Sequence, residues 1–513
     1  MNRKTSKTKA ALLALFAGAL SAPALAQDFE AHVVRNPDET VTYTIDLDGP
    51  VSSGYIFSAA FGLDAYALWL DPFGIKIWDW VYFTQASDTF NDLVVTPAAD
   101  FAFVGETDFW GFNSFGMTLT RVDPLGNIIW SKAYQSTPFV GGVASGSPER
   151  GNDLDTTADG GFILSSRIQG QPLAFQAPVL TKVDPFGNVQ WANYYTDGAL
   201  TQGTFASFND VKEVLVPGVP PFYVAAGYLT DVTGSPRDPL VAAFDNLGNQ
   251  MWARTYGSPN LWDQALGLEI TANNDIIVVG EVQTAAGMDT TVMRLDPAGN
   301  SLWQHRYMDL QTDGSIRETP SGQLALAGTV RDPNNAQDAA LLLLDPAGLP
   351  LWGQAYGGAQ QDFGVAVDNR AGGNGFVLGA NSRSFAPDLD IYMLGTDPAG
   401  KTGCERPFDQ PFEPFTPLVT ERDLIPFPIP EQTTHPLDQR DGFDVEPLCN
   451  PNPCPTCAWE FAPPVAVGDF SDIVAFLGLF GASDPCADLA PPAGVWDFSD
   501  VVAFLTSFAA GCP

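Results

Sequence analysis

Six times in this chain an Asp is followed three residues later by Gly, seven residues later by Trp and eleven residues later by Tyr. The sets are Asp71/Gly74/Trp78/Tyr82, Asp123/Gly126/Trp130/Tyr134, Asp184/Gly187/Trp191/Tyr195, Asp245/Gly248/Trp252/Tyr256, Asp296/Gly299/Trp303/Tyr307 and Asp345/Gly348/Trp352/Tyr356. A seventh copy begins at Asp397 and Gly400 but carries Cys404 in place of Trp. Successive Asp residues are 52, 61, 61, 51, 49 and 52 apart. A period near fifty residues means an array of supersecondary units that bury their faces against one another.

Each unit reads as short β-rich runs separated by turn residues. In the second copy the runs begin at Asp92, Asp100, Gly116 and Asn127. The Asp-Pro-x-Gly element predicts a hairpin. Pro presets φ, Asp caps the turn and Gly accepts a left-handed conformation. The apolar strand before it and the Trp strand after it are then antiparallel neighbours.

Four-stranded antiparallel units repeated several times predict an all-β chain, a β-propeller. Seven hairpins in residues 27–404 predict seven blades, with six as the alternative count. Strands from the amino-terminal stretch, such as Val41 to Ile45, are expected to complete the last blade. The Trp and Tyr rings are expected between blades, where an apolar body with a polar tip suits a half-wet seam. A Trp191→Ala or Trp303→Ala change then costs roughly 3–5 kcal/mol. The repeat resembles that of quinoprotein-type (PQQ-like) and WD-like propellers over most of residues 50–404. Quinone-dependent members of that family use eight blades, an adjacent cysteine pair and a Ca²⁺ site. This chain has seven hairpins and no adjacent cysteines, which argues against a bound quinone.

Acidic residues recur where the first strand of each blade is expected to begin: Asp92, Asp153, Asp210, Asp263, Asp313 and Asp362. At a channel mouth they would form a rim suited to a cation or a polyhydroxylated ligand. The competing interpretation is that each caps its own turn.

Residues 1–26 have the form of a secretory leader: Arg3, Lys4, Lys7 and Lys9, an apolar stretch from Ala10 to Leu20, then Ala24-Leu25-Ala26. Export to the extracellular space or cell surface is therefore expected, without membrane insertion. The whole chain has 24 basic and 60 acidic residues. Removing the four basic residues of the leader leaves 20 against 60, a net charge of −40. Such a surface repels nucleic acid and anionic lipid.

All six cysteines lie at or after position 404: Cys404, Cys449, Cys454, Cys457, Cys486 and Cys512. An even count in an exported chain predicts disulfides, with a zinc site from the last four as the alternative. Cys404 and Cys449 are positioned to tie the two ends of residues 405–453, and Cys457 to Cys512 would staple the carboxyl-terminal module. Residues 405–453 hold eleven prolines interleaved with Phe and acidic residues. They predict an extended, semi-rigid linker in which Phe408, Phe412, Phe415 and Phe427 pin part of the chain to the propeller wall.

Residues 454–513 contain a second duplication. Asp469-Phe-Ser-Asp472 recurs as Asp497-Phe-Ser-Asp500, and each is followed by an amphipathic helical pattern. With the terminal Gly511-Cys512-Pro513 this small α-helical module resembles a dockerin domain of the type that ends in Gly-Cys. The resemblance implies attachment to a cohesin-like or other cell-surface anchoring partner. It also implies Ca²⁺ held by Glu460, Asp469, Asp472, Asp488, Asp497 and Asp500. Helix capping is the alternative role for Asp469, Asp472, Asp497 and Asp500.

The three histidines, His32, His305 and His435, show no metal-ligand spacing, and His305 is expected on a strand surface. No nucleophile elbow, phosphate loop or zinc-protease motif occurs. The sequence thus favours a non-catalytic binding or scaffold propeller for a glycan or protein ligand, tethered outside the cell. The alternative is a dockerin-tethered enzyme acting on polysaccharide.

Overall fold

The computed structural model describes residues 29–34 and 41–51 and, with internal gaps, 54–449, together with five positions between 477 and 504. The chain is nearly all β-strand and propeller-like. Among the described residues, antiparallel four-stranded units follow one another, each strand pairing with the next. Unit 1 spans 41–83, unit 2 88–134, unit 3 149–197, unit 4 205–257, unit 5 263–307, unit 6 316–356 and unit 7 362–395. Units 3 and 4 are joined into one sheet by a single parallel bridge, Gln176 to Phe205.

Unit 7 brings only three strands of its own. Its fourth is Phe29–Val34, paired antiparallel with Asp390–Gly395. The expected donor, residues 41–45, instead lies in Val41–Val51, the first strand of unit 1. Unit 7 also packs back on unit 1. One apolar cluster holds Tyr55, Tyr66 and Leu68 of unit 1 with Val377, Ile391 and Met393 of unit 7. The two ends of the array therefore share one core.

The repeated motif is an inter-unit lock. In the third copy, Asp184 Oδ1 accepts the backbone N–H groups of Phe186 and Asn188, both at 2.8 Å, and so closes the hairpin. Gly187 sits at φ +72°, and a Cβ there would meet the unit 2 Trp130 ring at 2.9 Å. Only Gly satisfies both the turn and the approach of the neighbouring ring. Four residues past each Trp, the Tyr hydroxyl donates to the carbonyl of the next unit's Gly. The distances are 2.8 Å for Tyr82 to Gly126, 2.9 Å for Tyr195 to Gly248 and 2.6 Å for Tyr256 to Gly299. From the second copy to the seventh, each Asp-x-x-Gly thus serves the Trp and Tyr of the unit before it.

The Tyr rings carry the buried role. Tyr82, Tyr195, Tyr256, Tyr307 and Tyr356 are all fully buried. Trp191 and Trp303 are only half-buried, with the indole N–H donated to a carbonyl of the next hairpin, Asn246 at 3.0 Å and Pro346 at 3.2 Å. His305 lies in the seam, not on the strand surface. It is 8 % exposed, stacked on Trp303 at 5.1 Å and bonded through Nε2 to the Ala347 carbonyl at 2.9 Å.

The proline-rich segment is extended, as its composition predicts, but it is no spacer. It forms seven short strands, and each pairs antiparallel with the outer strand of a different unit. Arg406–Phe408 lies on unit 6, Phe412–Pro414 on unit 5, Leu418–Glu421 on unit 4 and Leu424–Pro428 on unit 3. Gln432–Thr434 then lies on unit 2, Asp438–Asp441 on unit 1 and Asp444–Cys449 on the Phe29–Val34 strand of unit 7. The chain thus returns past every unit in reverse order, a belt that covers seven sheet edges. Phe408 and Phe412 pack on the apolar cluster of units 5 and 6, as expected of pinning residues. Arg406 to Asp338 (2.7 Å), Arg306 to Glu413 (2.5 Å) and Arg254 to Glu421 (2.6 Å) add ion pairs along the belt.

Of residues 454–513, Leu477, Phe480, Val501, Val502 and Phe504 have helical backbone, and Phe504 is buried. Glu460, Asp469, Asp472, Asp488, Asp497, Asp500, Cys454, Cys457, Cys486 and Cys512 lie outside the described residues, as does the leader 1–26. No helix among the described residues is long and apolar enough to cross a membrane.

Candidate functional site

The first strands of units 2 to 7 converge on one cavity of about 680 Å³. Its wall contains Asp92, Asp153, Asp155, Asp210, Glu269 and Asp313, with Lys212 and Arg317 as the cations. The six recurring aspartates do not form a single rim. They fall into three registers.

Asp92, Asp153 and Asp210 lie in mid-strand, each just after a β-bulge and each preceded by Asn. Together the Asn and Asp clasp the next unit. Asn91 Nδ2 donates to the Gly151 carbonyl at 2.7 Å, Asn152 to Phe208 at 2.5 Å and Asn209 to Ala265 at 2.7 Å. The carboxylates accept the backbone N–H groups of Leu154 (2.7 Å), Val211 (2.8 Å) and Leu268 (2.6 Å). The bulge supplies the unpaired inner-strand N–H that each carboxylate satisfies. These acids therefore cap the neighbouring unit rather than their own turn.

Asp263 and Asp362 stand at the start of their strands and do not line the cavity. Asp263 accepts the Ser258 N–H at 2.5 Å. Asp362 accepts Gly358 N–H at 2.8 Å and the Ser384 hydroxyl at 2.7 Å. The unit 2 residue in this role is Asp88, which takes the Thr84 N–H at 2.7 Å. For these positions the turn-capping alternative holds.

Lys212 was not a sequence candidate, yet it organises the wall. Its ammonium lies 3.1 Å from Asp153 and 3.0 Å from Asp210. Burial works against the charged amine, but the two carboxylates outweigh it and raise the Lys212 pKa well above its ordinary value. Two residues beyond the clasp, Asp155, Lys212, Glu269 and Arg317 alternate in sign from unit 3 to unit 6. Asp155 accepts the Glu213 N–H at 2.8 Å and Glu269 the Glu318 N–H at 3.1 Å. Most acceptor capacity on the wall is thus committed to backbone and Lys212. Among the described residues no group of three or more His, Cys, Asp or Glu is placed to hold a metal ion.

Asp313 differs from the rest. It is exposed on the open side of the cavity with no hydrogen-bond or ion-pair partner among the described residues, and the nearby walls push its carboxyl up to about 6. Burial likewise lifts Asp155 to about 6, partly offset by the Lys212 charge. A folded-state pKa above the unfolded value makes the contribution of these groups most favourable at acid pH. It declines as pH rises through about 6. In Asp313→Asn this dependence is reduced. Its urea midpoint relative to the parent protein should therefore improve between pH 4.5 and 6.5. An unchanged difference at the two pH values would show that the cavity walls do not perturb Asp313.

The clasp was visible in principle. The dipeptide Asn-Asp recurs at 91, 152 and 209, and occurs once more in the turn at 274. Anchoring the count to the strand starts mixed its Asp with capping residues from another register.

Neither a protein-family model nor a curated protein matches this sequence. Among solved structures, the chain is similar to extracellular domains 1–2 of Drosophila Semaphorin 1b. The identity is 8 %, the match covers 72 % of this chain and 87 % of that one, and the TM-score is 0.30. A glycosyl hydrolase from Bacteroides ovatus is 11 % identical over 49 % of this chain and 85 % of its own, with a TM-score of 0.25. A eukaryotic initiation factor is 12 % identical over 64 % and 96 %, with a TM-score of 0.28.

Proposed function

We propose that the seven units are the blades of a closed seven-bladed propeller. In this reading the chain is an exported, non-catalytic binding protein that presents the propeller through a dockerin-like carboxyl-terminal module. The shared core of units 7 and 1 supports closure. The belt length agrees: seven extended strands starting six to eight residues apart cover roughly 140 Å, a circumference with a radius of about 22 Å. The anchoring partner, cohesin-like or otherwise on the cell surface, and Ca²⁺ at Glu460, Asp469, Asp472, Asp488, Asp497 and Asp500 remain part of this proposal.

The observation that carries a binding role is the axial cavity. Its clasp carboxylates are tied to backbone N–H groups or to Lys212, so they serve as wall rather than as a facing acid and base. The second reading, a tethered enzyme acting on polysaccharide, draws on Asp313. An unpartnered carboxyl pushed up to about 6 has the properties of a general acid. Glycan and peptide arrays probed with residues 27–450 should show saturable binding. The same preparation should release no reducing sugar from a polysaccharide panel. Release of sugar, abolished in Asp313→Asn, would replace the binding assignment with the enzymatic one.

A further inference from the structure

One side of the cavity, formed by unit 7 and the residues leading into unit 6, carries a buried acceptor without a partner. Asn381 is 3 % exposed, lines the cavity, and its Oδ1 has no hydrogen-bond partner. A buried amide oxygen without a donor is costly unless something fills its place. Asp313 lines the same space, exposed to it and without a hydrogen-bond or ion-pair partner among the described residues. Gln311 lines this side as well, and its Oε1 accepts from Gln337 Nε2 at 3.1 Å, which leaves one lone pair. Phe363 and Val365 supply apolar wall beside these oxygens.

We infer that this side of the cavity binds a ligand carrying a single alkylammonium group, held by Asp313 and the Asn381 amide oxygen. The inference rests on the binding reading above and names its ligand class. The unmet groups are acceptors, so the ligand must donate. Asp313 carries a negative charge with no cation beside it, so a ligand with one positive charge complements this side of the cavity. A divalent ion would need several further oxygens, and the neighbouring carboxylates are already committed to backbone and Lys212. The apolar residues suit the methylene stem that an alkylammonium brings with it. Two sources share this chemistry: a free alkyl amine and the lysine side chain of a protein.

The test titrates residues 27–450 with n-butylamine and, separately, with a blocked lysine tripeptide, each by calorimetry with n-butanol as the neutral control. Saturable binding of either ammonium probe and none of butanol is expected, and the probe that binds identifies the source. Asp313→Asn should weaken binding about tenfold or more, and Asn381→Ala several-fold. Asp409→Asn, an exposed carboxylate on the belt, should leave it unchanged. Circular dichroism and thermal melts confirm that each variant is folded.

Absence of saturable binding by either ammonium probe overturns the inference. So does equal binding by Asp313→Asn and Asp409→Asn, or binding of Ca²⁺ in place of the amine that Asp313→Asn abolishes. If array ligands still bind the Asp313→Asn protein while the amine does not bind the parent, the ammonium site falls and the binding role stands. Loss of both removes the two together.

Discussion

Truncation after Cys404 is expected to lower the thermal midpoint by on the order of 10 °C and to make the protein prone to associate. Truncation after Asn450 should leave the midpoint nearly where it was. The two truncated proteins differ only in the belt. Removing it exposes the outer edge of every unit at once, since each of the seven units takes its last strand from residues 406–449. A short strand alone yields little, because its few hydrogen bonds barely offset the backbone entropy of ordering it. The gain comes from what the belt covers. Phe408 packs so closely on Gly353 that a Cβ there would meet its ring at 2.6 Å, and Leu424 is 3 % exposed. Matching melting curves for the two truncations would show that the belt is passive.

Tyr256→Ala is expected to cost about 3–5 kcal/mol, through the cavity left by a buried ring and an unpaired Gly299 carbonyl. Tyr256→Phe should cost about 1–3 kcal/mol, since only the hydroxyl at 2.6 Å is lost. Trp191→Ala should fall below Tyr256→Ala, at about 1–3 kcal/mol, because its ring is only half-buried. The ranking corrects what the motif implies, in which the larger indole looks like the main filler between units. Gly299→Ala should cost about 1–2 kcal/mol or more, from a residue at φ +78° and a Cβ 2.9 Å from Trp252. Denaturant unfolding checks the order. Trp191→Ala costing more than Tyr256→Ala would place the seam at the wrong ring.

The hairpins were legible because their chemistry is local. Asp, Gly and the strands on either side lie within twelve residues, and the turn type follows from φ preferences alone. The partner of each Trp and Tyr was not legible. Their hydrogen bonds reach the next copy of the motif, more than forty residues on, and a repeat does not say whether its rings face forward or back. The belt was hidden by its prolines, which argue against central strands but are tolerated at sheet edges. Its own period was present. Strands begin at Arg406, Phe412, Leu418, Leu424, Gln432, Asp438 and Asp444, six residues apart except for one step of eight. The cavity was half legible. Asp92, Asp153 and Asp210 do line it, whereas Lys212 and Asn381 belong to no recurring motif. Asp313 was found, but for a periodicity it does not share.

The belt passes directly from unit 1 to unit 7, which are neighbours only if the array of units closes on itself. Cys404 is disulfide-bonded and follows the last hairpin by four residues. Cys449 stands opposite Glu30, next to Phe29, which pairs with Gly395 at the turn end of the same unit. Non-reducing peptide mapping of the full chain is therefore the most direct test of the encircled ring. A peptide joining Cys404 to Cys449 is the predicted result. Cys404 joined to Cys454, Cys457, Cys486 or Cys512 would contradict the closed circuit.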